Sequence, residues 1–404
     1  MKQTEIGEIP EDWDFVKLNQ VANFGGGTTP ARKNYARYYL HGKHNWVKTL
    51  DLNNSFIYKT SEQITDEALE ETSLKKHPKE SVLVAMYGGF NQIGRTGLLK
   101  VDASINQALV AILPKSDILN SEYLLFNLNF NVDYWKSVAS SSRKDPNITS
   151  QDVKNYPIAF SKNLDEQKEI AQVLTDTDNL IQATEQLINK KQLIKTATMQ
   201  NLLTGKIRLA EFDTKKTKPS ELGEIPSDWE VKKLGDLLDY EQPTMYLVST
   251  SKYLEKGSIP VLTAGKSFVL GYTEDKHGIY RNLPVIIFDD FTTDSKLVDF
   301  EFKAKSSAMK MLVSKDKSTP LNLIFALLQN VEFIVGDHKR HWISEFRHLN
   351  VAIPKSIEER NAISKILADL DRDINALKNR LGKLKDIKQG LMQNLLTGKI
   401  RLTE

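Results

Sequence analysis

Apolar residues recur every three or four positions over two long stretches of the chain, 163–203 and 356–396, and neither stretch contains proline. This spacing is typical of amphipathic helices. In the second stretch the apolar residues alternate steps of three and four, interrupted only at Lys388, which is the pattern of a coiled-coil seam. The members of this series are Leu367, Leu370, Ile374, Leu377, Leu381, Leu384, Leu391 and Leu395. The pattern therefore predicts two long helices.

Helix-boundary signals flank both stretches. A capping-box sequence opens each one: Asn163 with Glu166, and Ser356 with Glu359. Glycine, which readily takes the left-handed conformation at a helix C-terminus, follows each one at Gly205 and Gly398. A helix of this length rises about 60 Å at ~1.5 Å per residue, and so long an apolar seam needs a partner.

We expect the two long helices to bury each other's seams. Globular segments separate them in the chain, so an antiparallel pair would relate the two halves by a pseudo-twofold axis. The alternative is that each helix packs on its own globular segment. The residues predicted to form the core of the helix pair are Leu180, Leu187, Leu370 and Leu377.

Two sequence signatures occur twice. GEIPEDW at 7–13 returns as GEIPSDW at 223–229, and MQNLLTGKIRL at 199–209 returns unchanged at 392–402. Short β-rich runs and turn signals fill both globular segments, each with a short helix, expected at about 121–130 and 320–329. The duplication predicts one structural unit present twice.

These patterns predict an α+β protein in which two domains of mixed helix and strand are joined by two long antiparallel coiled-coil helices with pseudo-twofold symmetry. The predicted segments are a first domain at 1–162, a central helix at 163–209, a polar linker at 210–220, a second domain at 221–355 and a C-terminal helix at 356–404.

Composition narrows the function classes. The chain of 404 residues has a net charge of only +3. Any basic surface that binds nucleic acid must therefore be confined to part of the molecule. The absence of cysteine excludes disulfides, thiolate nucleophiles and cysteine-bound metals. The sequence shows neither a signal-peptide-like N-terminus nor the ~18 successive apolar residues of a membrane helix. We therefore expect a cytoplasmic protein without membrane contact.

Catalytic motifs are weak in this sequence. Asp290, Glu301 and Lys303 have the spacing of a magnesium-dependent nuclease, in which two carboxylates bind the metal and the lysine lies beside the attacked phosphate. The same residues also fit a plain strand with a solvated face. The seven histidines show no metal-ligand spacing. We predict neither a catalytic residue nor a metal site in this chain.

Loops in both globular segments combine basic and amide side chains with aromatic residues or glycines. The clusters lie at 32–35, 43–46, 87–95, 140–144 and 338–341. Arg and Lys bind phosphate or guanine, Asn and Gln bind adenine, and glycine allows the backbone to approach DNA closely. One such cluster alone is more often a solvated loop. Because the same sequence signatures surround two globular segments with different loops, the pattern favours two different DNA-binding surfaces.

Several of these segments, in this order, resemble the specificity subunits of type I restriction-modification systems. The segments are GEIPEDW and GEIPSDW, GGGTTPARKN, NQIGR at 91–95 with Asn106-Gln107, residues 286–312, and NLLTGKIRL closing both copies. The resemblance runs the length of the chain. One departure is at the start of the second helix, where Arg360 stands in place of the first helix's Gln167.

The resemblance implies a non-catalytic subunit whose two target-recognition domains each bind one part of a bipartite double-stranded DNA sequence. Two methyltransferase (modification) subunits, which hold S-adenosylmethionine and methylate a flipped adenine, would dock on the polar outer faces of the long helices. Restriction subunits would add ATP- and Mg-dependent translocation and cleavage. This subunit itself would hold no cofactor.

The candidate DNA-binding residues are basic, amide or hydroxyl side chains in loops. They are Asn91, Gln92, Arg95, Arg143 and Lys144 in the first domain, and Lys266, Thr292, Thr293, Lys339 and Arg340 in the second. Two alternatives stand beside this reading: a nuclease using Asp290, Glu301 and Lys303, and a coiled-coil adaptor that binds only proteins. The resemblance counts against the nuclease, because Asp290 and Glu301 fall in a stretch similar to a recognition-domain hairpin.

Overall fold

Two of the helices are far longer than the rest, as the heptad pattern predicts. In chain order the α-helices are α1 (Leu18–Val21), α2 (Tyr35–Tyr38), α3 (Asp66–Glu71), α4 (Ser121–Phe130), α5 (Val132–Val138), α6 (Ser150–Lys154), α7 (Leu164–Leu202), α8 (Leu234–Leu237), α9 (Leu321–Asn330), α10 (His341–Ser344) and α11 (Ile357–Leu395). The computed structural model describes residues 1–404 except 90, 140–146, 266, 332–340 and 403–404.

The chain forms two compact units. Unit 1 contains Met1–Thr184 together with Arg380–Glu404, and unit 2 contains Glu185–Asn379. Each unit therefore holds one end of both long helices. This division cuts across the predicted segments, because the end of α11 packs with the beginning of the chain.

Unit 1 is built on a five-stranded sheet of order β4-β11-β8-β9-β6, antiparallel except for the β6–β9 pair. A three-stranded sheet, β10-β5-β7, and the pairs β3–β12 and β1–β2 complete it. The strands are β1 (Lys2–Thr4), β2 (Gly7–Ile9), β3 (Trp13–Lys17), β4 (Ala22–Gly26), β5 (His44–Val47), β6 (Phe56–Ile57), β7 (Glu62–Ile64), β8 (Val82–Ala85), β9 (Thr96–Leu99), β10 (Ala103–Ile105), β11 (Leu109–Pro114) and β12 (Pro157–Ser161).

Unit 2 repeats this plan with a central sheet of four strands in place of five. Its central sheet has the order β16-β22-β19-β20, and β18-β17-β21, β15–β23 and β13–β14 stand beside it. The strands are β13 (Thr217–Ser220), β14 (Gly223–Pro226), β15 (Trp229–Lys233), β16 (Leu238–Glu241), β17 (Ile259–Leu262), β18 (Val269–Thr273), β19 (Val285–Asp289), β20 (Ser295–Val298), β21 (Lys303–Ala304), β22 (Met309–Ser314) and β23 (Asn350–Pro354). The end of the predicted linker is thus strand β13.

The short helices lie where the sequence predicts them. Helix α4 is capped by Asn120, whose side chain accepts a hydrogen bond from the Tyr123 N–H at 2.9 Å. Helix α9 begins directly after Pro320. Both helices bury apolar residues against their central sheets, in the cluster around Trp13 in unit 1 and the cluster around Trp229 in unit 2.

The long helices run antiparallel within unit 2. Lys191 of α7 pairs with Asp373 of α11 at 2.8 Å, and Lys195 pairs with Asp371 at 2.5 Å. Residue numbers therefore rise along α7 as they fall along α11. In unit 1 the opposite ends of the helices meet, and Lys388, which interrupts the apolar series, pairs with Asp178 at 2.6 Å. The predicted antiparallel pairing is thus observed inside each unit.

The helix seam uses different residues of α7 from those predicted. Leu180 and Leu187 are 41% and 42% exposed, whereas Thr184 and Ile188 are 5% and 7% exposed. In the adjacent apolar pairs Leu180–Ile181 and Leu187–Ile188 the second residue is the more buried one. The prediction that Leu180 and Leu187 form the core is therefore wrong. On α11, Leu370 and Leu377 are half-buried between the more buried Leu367, Ile374 and Leu384.

The repeated signatures meet in an arginine clasp, defined here as the arginine of NLLTGKIRL bound to two carboxylates. In unit 2, Arg208 binds Glu359 at 2.7 Å and Asp228 at 2.9 Å. In unit 1, Arg401 binds Glu166 at 2.5 Å and Asp12 at 2.8 Å. The clasp joins the tail that follows one long helix to the first turn of the other and to the GEIP-x-DW segment.

The clasp changes the predicted capping boxes. The Glu359 N–H does bond to the Ser356 hydroxyl at 3.1 Å, as a capping box requires. The carboxylate of Glu359 instead accepts bonds from Arg208 and from the Trp229 indole at 3.2 Å. Only half of the box is formed, because a buried carboxylate is better stabilised by a cation than by one backbone N–H.

The predicted glycine stops have the expected backbone conformation. Gly205 and Gly398 have φ values of +70° and +68°. A Cβ at Gly205 would lie 2.5 Å from Pro226, and one at Gly398 would lie 2.4 Å from Pro10. Glycine therefore lets each tail turn tightly onto a GEIP segment. In the part of the chain that the structure describes, no helix is both long enough and apolar enough to cross a membrane.

Candidate nucleic-acid interface

Three loops of unit 1 gather at one end of its central sheet. Leu109 pairs with Ala85 and Val110 pairs with Gly26, so β4 and β8 end where β11 begins. The described residues that meet there are 27–30, 86–89, 91–95 and 106–108, and we call them the loop edge of unit 1. The Met86 N–H donates to the Ala108 carbonyl at 2.8 Å, which ties two of these loops together.

Three predicted DNA-binding residues share the β8–β9 hairpin loop. Asn91 is exposed, and Gln92 and Arg95 are half-buried. The loop folds back through Gly94, which has a φ of +76° and lies against the ring of Trp135. This turn places amide and guanidinium side chains in one short loop, and these are the groups that bind base edges and phosphates.

Unit 2 presents an equivalent edge. Glu241 pairs with Met311 and Asp289 pairs with Met309, so β16 and β19 end where β22 begins. The loop edge of unit 2 comprises 242–246, 290–294 and 306–308. The predicted residues Thr292 and Thr293 lie in its β19–β20 hairpin loop, Thr292 exposed and Thr293 half-buried. The Asp289 carboxylate accepts the Thr292 N–H at 3.0 Å and shapes this loop.

The other predicted residues, Arg143, Lys144, Lys266, Lys339 and Arg340, lie outside the described residues. Residues that follow two of these gaps are bound at the loop edges. The Ile148 N–H donates to the Met86 carbonyl at 3.0 Å, and the His341 N–H donates to the Asp290 carbonyl at 3.0 Å. The described chain after each of these two gaps is thus bound at the base of a hairpin loop, and the assignment of these five residues to DNA binding stays a prediction.

Two of the sequence clusters have structural roles. The Arg32 guanidinium lies 4.2 Å from the centroid of the Tyr39 ring and binds Glu62 at 2.8 Å. Hydrogen bonding from Arg32 lowers the pKa of Glu62 to about 2. In the cluster at 43–46, His44 binds Asp66 at 2.6 Å and Trp46 is buried. These basic groups are already paired within unit 1.

The structure adds two aromatic residues to the candidate DNA-binding residues: Tyr87, which belongs to the predicted cluster at 87–95, and Phe291. Tyr87 and Phe291 are 42% and 45% exposed, and each lies in a hairpin loop at the loop edge. The sequence signal that could have identified them is an aromatic residue directly beside glycine or acidic turn residues. Their rings can stack on bases or pack against a thymine methyl group.

The three nuclease residues are paired with three different partners. Asp290 lies 3.6 Å from Lys310, and Glu301 binds Arg281 at 3.2 Å. Lys303 binds Asp275 at 2.5 Å, and this hydrogen bond holds the pKa of Asp275 below its usual value. Among the described residues, no group of three or more His, Cys, Asp or Glu side chains could hold a metal. The two carboxylates and the lysine are not assembled as a metal-dependent catalytic site.

Comparison with known proteins identifies the family. The family described as "Type I restriction modification DNA specificity domain" matches residues 10–191 and again 226–389. The chain belongs to this family. The double match follows the sequence duplication. As a specificity subunit, the protein is the non-catalytic component of such a system, and the resemblance seen in the sequence is confirmed.

Similar proteins come from bacteria and archaea. The specificity subunit of the type I restriction enzyme EcoR124I/EcoR124II of Escherichia coli is 46% identical over 171 residues, 38% of this chain and 42% of that protein. The MjaIX specificity subunit of Methanocaldococcus jannaschii is 29% identical over 444 aligned positions, covering 100% of this chain and 97% of that protein.

Solved structures show the same fold. The S subunit of a type I restriction-modification system from M. genitalium aligns with a TM-score of 0.68 at 16% identity, covering 98% of each chain. A chain from a study of complex assembly and conformational transition of the type I system aligns with a TM-score of 0.51 at 14% identity, covering 97% of this chain and 100% of that one. The predicted α+β fold with two long helices is confirmed.

Proposed function

We propose that the protein reads a bipartite double-stranded DNA sequence, unit 1 reading one half-site and unit 2 the other. The observation that carries this proposal is the pair of equivalent loop edges. Both units bring a hairpin loop to the same end of the same kind of sheet, yet one loop carries Asn91, Gln92 and Arg95 and the other carries Thr292 and Thr293. A shared scaffold with different loop chemistry suits two different base sequences.

In this proposal the chain works within a larger assembly. Two methyltransferase subunits dock on the long helices and supply S-adenosylmethionine chemistry, while restriction subunits supply ATP- and Mg-dependent translocation and cleavage. The complex acts on DNA in the cytoplasm. No residue of this chain is required to bind these cofactors.

The half-site assignment is tested with the protein bound to its methyltransferase partner. DNA libraries randomised in either half-site report the sequences that are bound and methylated. We expect the combined Arg95→Ala and Arg143→Ala variant to lose selectivity at one half-site only, because unit 2 is unchanged. Lys115→Ala is the matched control, since Lys115 follows β11 at the opposite end of the sheet from the loop edge. Unchanged selectivity would exclude these two arginines as base readers.

Docking is tested on the surface of α7 in unit 2. Leu187 and Ile194 are 42% and 43% exposed and one heptad apart, so they share a face that an added helix could cover. We expect Leu187→Ser to weaken methyltransferase binding without reducing the stability of the chain. Asn189→Ser, on another face of the same helix, is the control. Equal binding by both variants would exclude this face.

The nuclease and the protein-only adaptor predict different behaviour toward DNA. A self-sufficient nuclease would cut DNA when the isolated protein is given magnesium, and Glu301→Ala would abolish the cleavage. A protein-only adaptor would show no sequence-dependent DNA binding even with its partners present. Either result would overturn the proposed function.

A further inference from the structure

An ion pair is completely buried beneath the hairpin loop of unit 2. Lys310 Nζ lies 3.6 Å from Asp290 Oδ2, and each side chain is only 1% exposed. Charges are transferred out of water at a high cost, which attraction within the pair offsets only if the geometry is good and further hydrogen bonds are made. Such a pair contributes little to stability. Its role is therefore better explained by the loop and strand positions that it fixes.

The lysine connects two strands with the loop edge. Lys310 belongs to β22, and its Nζ donates to Gln242 Oε1 at 3.2 Å and lies 5.4 Å from the centroid of the Tyr240 ring. Gln242 directly follows β16 and is the first residue of loop 242–246. The buried ammonium group is therefore held by groups from two parts of the loop edge.

The aspartate connects the hairpin loop with α10. Asp290 is the first residue of loop 290–294, and its Oδ1 accepts the Trp342 N–H at 2.9 Å. Its backbone carbonyl accepts the His341 N–H, and its own N–H donates to the Ala308 carbonyl at 3.2 Å. Asp290 thus fixes the start of the loop that carries Thr292 and Thr293 against two neighbouring segments.

Unit 1 builds the same hairpin without these charges. By strand register, Ala85 opposite Leu109 corresponds to Asp289 opposite Met309, so Met86 and Val110 take the places of Asp290 and Lys310. Met86 and Val110 are apolar and buried, and Gly94 of that hairpin packs directly on Trp135. The fold therefore does not require an ion pair at this position. The pair is specific to the loop of unit 2.

We propose that Asp290 and Lys310 are positioning residues that set the geometry of loop 290–294 and thereby the strictness with which unit 2 reads its half-site. This inference rests on the proposed function. Hydrogen-bond readout of base edges depends on donors and acceptors being held in place by groups behind them. Removing one partner leaves a lone charge in the interior, and the loop must move or admit water to solvate it.

The test uses the protein in complex with its methyltransferase. Binding is measured to DNA with the preferred sequence and to DNA with single substitutions in either half-site. For Lys310→Met and for Asp290→Asn we expect discrimination at the unit 2 half-site to fall about tenfold, a change of the size that one base contact provides. Discrimination at the unit 1 half-site should remain that of the unaltered protein.

A double variant separates positioning from general damage. Once Lys310 is methionine, Asp290→Asn should cause little further loss, because the two changes remove one interaction. The neutral double variant also leaves no lone buried charge, so it provides a folded protein if a single variant unfolds. Thermal unfolding of each variant establishes that the protein being assayed is folded.

Lys303→Met is the matched control. Lys303 is another buried lysine of unit 2, 3% exposed and bound to Asp275 at 2.5 Å, but it belongs to β21 in the neighbouring three-stranded sheet. Its replacement should lower the melting temperature and leave half-site discrimination intact. The inference is overturned if folded Lys310→Met, Asp290→Asn and double variants read the unit 2 half-site as strictly as the unaltered protein, or if Lys303→Met relaxes it equally. If the unaltered protein itself shows no discrimination there, the proposed function fails instead.

Discussion

Single arginines explain why two distant signatures are repeated together in this chain. Arg208 and Arg401 are equivalent positions of NLLTGKIRL, and each contacts the aspartate of a GEIP-x-DW segment as well as a helix-start glutamate. The glutamates are almost fully buried, with side-chain exposures of 2% for Glu359 and 0% for Glu166. A buried carboxylate needs its cation, so the two signatures must be present together.

We expect Arg208→Met to lower the free energy of unfolding by about 3 kcal/mol, because Glu359 would remain charged and buried without a partner. Urea denaturation of the whole chain measures the change. The control is Lys168→Ala, which removes an ion pair with Asp165 whose side chains are 60% and 79% exposed. Such an exposed pair contributes about 0–1 kcal/mol. An Arg208→Met effect no larger than the control would contradict the clasp.

The clasp of unit 1 also predicts acid sensitivity. Hydrogen bonding from Arg401 lowers the pKa of Asp12 below its usual 3.8. Burial is the largest single effect on Glu166 and raises its pKa, but the hydrogen bonds from Arg401 and Ser161 and the charge of Arg401 together outweigh burial and lower this pKa below 4.5. Because both pKa values are lower in the folded state, the stabilisation is present above the unfolded values and is lost as pH falls through the folded ones.

Melting temperatures measured from neutral pH down to about pH 3 test this dependence. We expect a decline that begins near the unfolded pKa values, and a shallower decline in Arg401→Met. Parallel pH profiles of the two proteins would show that other carboxylates cause the acid sensitivity.

At the scale of elements, the long helices show how a correct periodicity can still leave the contact residues undecided. Two successive heptads of α7 contain neighbouring apolar residues, Leu180–Ile181 and Leu187–Ile188, and one residue of each pair is clearly more buried than the other. The structure buries Ile188 and exposes Leu187. The helix and its amphipathic character are local properties, whereas the rotation of the helix about its axis is set by the partner.

We therefore expect unequal effects at two adjacent positions. Ile188→Ala should cost about 2–4 kcal/mol because it leaves a cavity in the seam, and Leu187→Ala should cost less than about 1 kcal/mol. Chemical denaturation of both variants makes the comparison. Equal losses would mean that both residues contact α11.

The hairpin of unit 1 offers a second comparison within one element. Gly89 and Gly94 have similar φ values of +74° and +76°, but a Cβ at Gly94 would lie 2.1 Å from Trp135 and one at Gly89 would meet nothing within 4 Å. We expect Gly89→Ala to cost about 1 kcal/mol through backbone strain and Gly94→Ala clearly more.

Thermal unfolding and half-site discrimination measured on both glycine variants distinguish the two effects. Gly94→Ala should also relax the half-site read by unit 1, since Arg95 follows it directly. Full discrimination by a folded Gly94→Ala variant would argue against a role for this turn in positioning Arg95.

At the scale of the whole molecule, the chain is organised as two units that each draw on both sequence repeats. Unit 1 includes Arg380–Glu404, and the tail after α11 packs on the beginning of the chain. The predicted segment boundaries, drawn between helices and globular parts, describe the order of elements along the chain. The two units instead group the elements that pack around a common core.

Because the two units have separate cores, we expect each unit to bind its half-site independently of the other. We expect the losses of DNA affinity caused by Arg95→Ala and by Thr292→Ala to add in the double variant within about 0.5 kcal/mol, as for residues without shared partners. Binding isotherms of the two single variants and the double variant measure this. If the double variant bound DNA with the same affinity as the weaker-binding single variant, the two loops would act on the same DNA contacts.

The duplication, the two long helices with their C-terminal glycines, the short helices α4 and α9, and the family could all be predicted from the order of residues in the chain. All of these depend on local signals, namely heptad spacing, capping residues and ordered motifs, which act within a few residues or a few turns. The turn residues at 88–89 and 94 also predicted that Asn91, Gln92 and Arg95 share one loop, and the structure shows that this loop closes a hairpin.

Tertiary packing sets which face of α7 is buried, where Glu166 and Glu359 direct their carboxylates, and that Asp290 pairs with Lys310. Each of these outcomes compares contacts between residues far apart in the chain, and the free-energy differences arise from burial and charge pairing. A one-dimensional pattern shows that a carboxylate or a leucine is present. The partner that it meets is set by strand register and by the packing of the other repeat.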